Sequence, residues 1–394
     1  MLSKEAREKK LSQFEFMVFS PNHWDGQWMN RQQLFSRIGQ YSRVTYSIGL
    51  ISKYKKRIKH LLQAPFSKFR FNGVVTLDLP SSLWVRWQTI KLYDQAVLAM
   101  HCRNLSNQFT AKKNKVIYIF HPDYAIYAQK IPHDILVYHP FDDFAKQGGQ
   151  NENFRENETY LFEHANLVIT PSEGVTDNLI KRSGREDVKT VRNGVDFVAF
   201  SEFSNESPSH SHKTNGGLKI AYIGSINVKV DIGLLLFLAV SLPKDEFHLI
   251  GPVANMGAKK SIFEQLQLLK NVHFHGRLSH MELPKISAKM DCLLMCYDTS
   301  PELWARYAYP LKLNEYLATK KPVISCELDS VAELENICDV ASTKEEWLGA
   351  IEKVKGGSCN KIEAGYTYAS KQDWMTRVDQ IANLLDKNTP QPKE

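Results

Sequence analysis

Three groups of side chains in this chain have types and spacings that could do chemistry. Lys312 and Glu315 lie three apart on a short helical pattern, so a cation and a carboxylate share one polar face. By itself such a pair is an ordinary surface ion pair. Asp142 and Asp143 follow the apolar run 135–138 and His139, where a strand reaches its C-terminal end. Ligands of open α/β sheets gather at that edge, although acidic residues there also serve simply as turn formers. His121 ends another strand-like run, 116–120, at the same kind of position. Trp24, Trp28 and Arg31 fall in the polar loop after the first strand. They offer two aromatic faces and a donor fork to a sugar or phosphate, and the tryptophans serve equally well to pack the next helix.

The elements that must position these groups read as two alternating β/α series. Residues 14–20 form a strand, and a loop and helix follow, the opening of a doubly wound sheet. Further strands fall at 74–79, 116–120 and 135–138, and Asn193-Gly194 is a turn signal. The stretch 201–217 is polar and rich in Ser, Asn and His, which marks an exposed linker. A second series begins with the strand 218–223 and Gly224-Ser225. Glycine there allows close backbone approach, and the helix from about Asp231 offers N–H groups to phosphate. Strands at 247–251, 272–276 and 292–296 follow, the second leading into Arg277 and Leu278. Pro310 suits a first helical turn, and Leu311, Leu313, Tyr316 and Leu317 make an apolar stripe before the buried strand 323–326. The expected layout is a first domain at 1–200, the linker 201–217, a second domain at 218–370 and an amphipathic helix at 371–388.

The length of 394 residues suffices for two domains with full cores. No run of about 18 apolar residues appears, and the N-terminus lacks the apolar region of a secretory signal. The six cysteines form no CxxC pair and read as buried thiols, so a cytosolic protein is expected. Residues 1–200 carry a net charge of +9 and the remainder −2, which points the first half toward an anionic surface. The stretch 51–71 holds Lys53, Lys55, Lys56, Arg57, Lys59, Lys68 and Arg70 with no acid, and apolar residues recur between them. It reads as a basic amphipathic helix suited to anionic lipid, and equally as a solvated face. No nucleic-acid-binding motif accompanies it.

The segment P-x-K-x-x-E-Y-L-A with K-P-V-I-S resembles the sugar-nucleotide motif of GT-B glycosyltransferases. Other matching segments are the Asn166 strand, N-G-V-D at 193–196, the Gly-Ser loop at 224–225, and N-V-x-F-x-G at 271–276. YHPFDD at 138–143 is similar to segments of xanthan-type glucuronosyltransferases and teichuronic-acid-type transferases. The resemblance implies an α/β GT-B fold, with two Rossmann-like domains facing across a cleft and a C-terminal helix crossing back. It implies a UDP-sugar co-substrate and no other cofactor, bound by Gly224, Ser225, Arg277, Leu278, Arg306, Lys312 and Glu315, with Lys229 near the diphosphate. Lys312 would meet the diphosphate and Glu315 the ribose hydroxyls. The loop bearing Trp24, Trp28 and Arg31, with His121, would border the acceptor. Asp142 would be the catalytic base, oriented by Asp143 or His139, giving inversion. No Asp-x-Asp metal site is needed if lysine and helix-end amides take the charge. The expected activity is hexosyl or glucuronosyl transfer to a lipid-linked saccharide, in exopolysaccharide synthesis at the cytoplasmic face of a membrane. The alternatives are a non-hydrolysing UDP-sugar epimerase and an inactive sugar-nucleotide-binding partner.

Overall fold

The computed structural model describes residues 1–50, 68–79, 90–110, 112–146, 153–204, 217–300 and 309–389. The chain divides into two units, Met1–Arg192 with Met375–Glu394, and Asn193–Trp374. Each is built on its own sheet.

The first unit holds β1 (Phe14–Phe19), β2 (Arg43–Ser47), β3 (Lys68–Phe71), β4 (Thr76–Leu79), β5 (Asn114–Ile119), β6 (Ile135–Tyr138), β7 (Leu167–Thr170) and β8 (Lys189–Thr190). Their order is β3-β4-β2-β1-β5-β6-β7-β8. Neighbours run parallel except β3 and β4. Strand β1 is buried along its whole length and is apolar except for Glu15, whose carboxylate accepts from Thr110 N–H (2.6 Å) and Oγ1 (2.7 Å). From β1 the chain winds to one side, and from β5 to the other. The C-terminal ends of these two adjacent strands are therefore the switch point where a crevice opens.

The basic stretch 51–71 is not one helix. Lys68–Phe71, with Lys68 and Arg70, is an edge strand antiparallel to β4, as its period-two alternation of charged and aromatic residues allows. Residues 51–67, which include Lys53, Lys55, Lys56, Arg57 and Lys59, lie outside the described residues, as does Arg306.

The C-terminal segment also differs from a single helix starting near 371. A helix at Ile362–Ser370 ends, and a second runs from Trp374 to Lys387. Between them the backbone is committed elsewhere: Val195 N–H donates to Gln372 O (2.9 Å) and Trp374 N–H donates to Val195 O (3.1 Å). The last helix completes the first unit. Val378, Ile381, Ala382 and Leu385 are fully buried, and Asp379 accepts from the buried Arg7 at 2.6 and 3.1 Å.

The second unit holds β9 (Lys219–Ile223), β10 (Glu246–Ile250), β11 (Val272–Gly276), β12 (Cys292–Met295), β13 (Val323–Ser325) and β14 (Asp339–Val340), ordered β11-β10-β9-β12-β13-β14 and parallel throughout. Its switch point lies between β9 and β12. The units part at Arg192/Asn193, ahead of residue 200. Asn193 donates to Tyr309 O (2.8 Å), Asn314 donates to Asn193 O (3.2 Å), and Phe200 is buried in the second core.

Candidate functional site

In the second unit the helix Leu311–Ala318 is fastened to the end of β9 by one side chain. The Tyr316 hydroxyl accepts from Ile223 N–H (2.7 Å) and donates to Ile223 O (3.1 Å). One turn earlier on that helix, Lys312 is carried to Gly224, the residue after Ile223. A Cβ on Gly224 would meet Lys312 Nζ at 2.5 Å, and the backbone there has φ +149°. The positive φ favours glycine, and the missing Cβ leaves room for the lysine's flexible tip. Gly251 repeats the device at the end of β10, since a Cβ there would stand 2.0 Å from Gly224 O. Lys312 Nζ lies 3.7 Å over the Tyr222 ring and 5.0 Å from that of Tyr297. Lys312 as a residue is partly exposed, but its amino group sits among these rings. Burial lowers its pKa to about 7, against the pull of Glu315, and burial raises Glu315 to about 7.

The helix Ile232–Ser241 does not offer the free end expected near Asp231. The Asp231 carboxylate caps it, accepting from Leu234 N–H (2.8 Å), so a negative charge already occupies that terminus. The helix Leu311–Ala318 begins at Pro310 with no side-chain cap, which leaves its first amides for an anion. The Gly224–Asp231 loop is tied down from outside. Tyr222 donates to Ser225 O (3.1 Å), and Lys259 donates to Val230 O (2.9 Å) while pairing with Asp298 (2.6 Å). Ser225 is half-buried, and its hydroxyl accepts from Asn227 (3.4 Å). Lys229 adds repulsion that depresses Lys312 further. Arg277 is exposed beyond β11, and Leu278 packs on the second core. Replacing Tyr316 with Phe strands two backbone groups at the end of β9, an expected loss of about 1–3 kcal/mol. An unchanged urea midpoint in that variant would show that the clamp contributes nothing.

In the first unit the two aspartates part. Asp143 is buried and pairs with Arg182 (2.9 Å), which also holds Glu158 (3.0 Å), itself an acceptor from Tyr138 (3.0 Å). It anchors the turn. Asp142 stays half-buried, its Oδ1 accepting from Asp143 N–H (2.9 Å). His139 does not orient Asp142. It is buried, its Nδ1 lies 2.7 Å from the Tyr118 hydroxyl, and burial with the nearby Arg31 charge lowers its pKa to about 3. His121 caps the turn Pro122–Tyr124 through Asp123 N–H (3.2 Å) and packs against Phe144 (4.6 Å). Trp24 is a packing residue, 8% exposed and edge-on to Tyr46, whereas Trp28 is 36% exposed. Arg31 is 1% exposed and donates to Asn22 and Asn30.

Tyr316, Tyr222, Lys259, Tyr118 and the Arg182–Glu158 pair escaped the sequence reading. In the sequence Tyr316 is part of the apolar stripe, yet a tyrosine buried there needs a partner for its hydroxyl, and that is the available signal. The other contacts join distant segments and leave no local pattern.

No protein-family model matches the chain. Over 233 residues it is 29% identical to TuaH of Bacillus subtilis (strain 168), provisionally named a teichuronic acid biosynthesis glycosyltransferase. That match spans 57% of this chain and 57% of TuaH, little more than half of each. Among solved structures, Anabaena HepE in complex with UDP and glucose superposes with a TM-score of 0.67 at 16% identity, covering 95% of this chain and 100% of HepE. Sucrose-phosphate synthase from Thermosynechococcus elongatus gives 0.70 at 13% identity, covering 95% and 98%. Among the described residues, no helix is long and apolar enough to cross a membrane. Two parallel-sheet α/β units, matched end to end by these structures, make the fold of this chain that of the GT-B glycosyltransferases.

Proposed function

We propose that this protein transfers a hexosyl or glucuronosyl unit from a UDP-sugar to a hydroxyl of a lipid-linked saccharide in bacterial-type polysaccharide synthesis. The observation that carries this reading is the Lys312 amino group, held against Gly224 at the switch point of the second sheet. A cation set between aromatic rings, beside an uncapped helix start, is suited to a diphosphate. Glu315, on the same helix, takes the ribose hydroxyls, and Gly224, Ser225, Arg277, Leu278 and Arg306 complete the donor site. TuaH and HepE support the same reading through what their names describe. In the reaction Asp142 accepts the acceptor's hydroxyl proton. The freed oxygen bonds to C1 as the C1–O bond to phosphate breaks, and UDP leaves with the electron pair. Lys312 and the amides of its helix offset the charge without a metal, so a chelator leaves turnover unchanged.

A thermal-shift series over UDP-, GDP- and dTDP-sugars tests the donor, because a ligand bound to the folded state raises its melting temperature by mass action. Stabilisation by the UDP series alone is expected. Equal responses to all three would remove uracil recognition. The membrane part of the proposal rests on the basic residues at 53–59. Each contributes on the order of 1 kcal/mol near an anionic surface, so several together hold the protein reversibly. Sedimentation with phosphatidylglycerol vesicles should decline as salt rises, and replacing Lys55, Lys56, Arg57 and Lys59 by Gln should release the protein. Equal sedimentation with neutral vesicles would contradict it.

A further inference from the structure

Arg31 carries a buried charge that no acid answers. It is 1% exposed, and among the described residues no carboxylate pairs with it. Its donors reach only the neutral amide oxygens of Asn22 and Asn30, and Nε has no partner. The guanidinium carbon lies 4.1 Å over the Phe141 ring and 6.0 Å from that of Phe120. His139, also 1% exposed, packs against the same Phe120 ring, 5.2 Å between centroids. Its Nε2 has no partner either. The Tyr118 hydroxyl is fully buried, and the His139 Nδ1 at 2.7 Å is its one hydrogen-bond partner among the described residues. A buried phenol with a single partner donates to it, since the reverse would strand the phenol proton as well, and on that ground we assign the imidazole proton to Nε2. Both unanswered atoms are therefore donors. They gather at the C-terminal ends of β1, β5 and β6, the switch point of the first sheet.

A guanidinium removed from water and given only neutral acceptors is unfavourable in the ligand-free protein. The arrangement is complete once an acceptor-rich, negative group arrives. We propose that Arg31 and His139, with Asn22 and Asn30 holding the guanidinium in place, form an oxyanion site that takes a phosphate or carboxylate of the acceptor. Phe141, the ring beneath Arg31, immediately precedes Asp142, so the bound anion stands next to the turn that carries the base. The acceptor is then an anionic saccharide or saccharide phosphate, charged close to its reacting hydroxyl. As a statement about the acceptor this rests on the transferase reading above.

The test is titration calorimetry on the full chain with inorganic phosphate, glycerol 1-phosphate and glucuronate, with glucose as the uncharged control. It is run at saturating UDP and repeated on Lys312→Ala, so that phosphate at the donor site is not counted. Wild type should bind at least one of the three anions and not glucose. Arg31→Met should weaken that binding by about tenfold or more, with a ligand-free melting temperature no lower than wild type, because an unanswered charge has been removed. Should Arg31→Met not fold, Arg31→Lys is read for the same loss, since a single ammonium cannot reproduce the fork. A phosphate response assigns a phosphoryl group, and a glucuronate response a uronate. Flat titrations with all three anions, or anion binding unaffected by the Arg31 change, would overturn the site. Absence of UDP binding would instead refute the donor reading, while Arg31-dependent anion binding on Lys312→Ala would still stand.

Discussion

Asp142→Asn should lower kcat by about 10²–10⁴-fold while UDP affinity stays nearly constant, the usual scale for loss of a general base. The neighbouring residue supplies the control. Asp143 is consumed by its buried pair with Arg182, so Asp143→Asn should loosen the turn and lower stability instead of removing a base. Asp142 is half-buried, which leaves its carboxylate within reach of a substrate. If it removes the acceptor proton, displacement at C1 is direct and the product has the configuration opposite to the donor's. Product analysis by NMR decides this. A glycoside that retains the donor's configuration would end the role of Asp142 as base, even with the donor site intact.

Lys312→Ala should weaken UDP binding by about 30- to 150-fold, the effect of losing a charge-assisted contact of roughly 2–3 kcal/mol. The fold should survive, because the helix is held by Tyr316 and not by the lysine. The pH dependence is a second check. Burial lowers the Lys312 pKa to about 7 and raises that of Glu315 to about 7, so the lysine gains its charge as pH falls while the glutamate gains its own as pH rises. In wild type these opposing titrations give UDP affinity a maximum near neutrality. Glu315→Gln removes one of them. UDP affinity in that variant should then fall as pH rises above neutrality, since the cation is being lost. The decline should begin at lower pH than the lysine alone would suggest, because the carboxylate that raised its pKa is gone. Calorimetry between pH 7 and 9, where the terminal phosphate of UDP is mostly ionised, reads the effect. An affinity in Lys312→Ala equal to wild type would take the lysine out of the donor site.

Strands buried on both faces were legible because such burial demands mostly apolar residues, contiguous in β6 and β12 and interrupted only by Glu15 in β1. Strand β2 was missed because Arg-Val-Thr-Tyr-Ser mixes polar residues into a short run, and β3 because its charges were read with those before it. The Lys312 and Glu315 positions were visible as a local motif. That Lys312 meets Gly224 was not, since the contact depends on how a helix is fastened to a distant strand. The same limit hid the difference between Asp142 and Asp143. Adjacency predicts that they face apart, but that Asp143 is the one met by Arg182, far along the chain, could not be read locally. Arg31 stood out as a donor fork, while its lack of an acid partner could be learned only from the packed interior.

The first unit is not one stretch of chain. Its N-terminal helix, Lys4–Leu11, holds buried Arg7, whose partner Asp379 arrives 372 residues later, on a helix whose apolar face is fully buried in that unit. On a ribosome, where chains emerge from the N-terminus, the second unit is fully exposed first and can finish folding while the first still lacks its last helix. A chain stopped at Trp374 would present Arg7 unpaired and the surface that Val378, Ile381 and Leu385 cover. Premature termination anywhere near the C-terminus should thus yield an aggregating product with a sound second unit. Residues 193–374, continuous in sequence, are the piece to express alone.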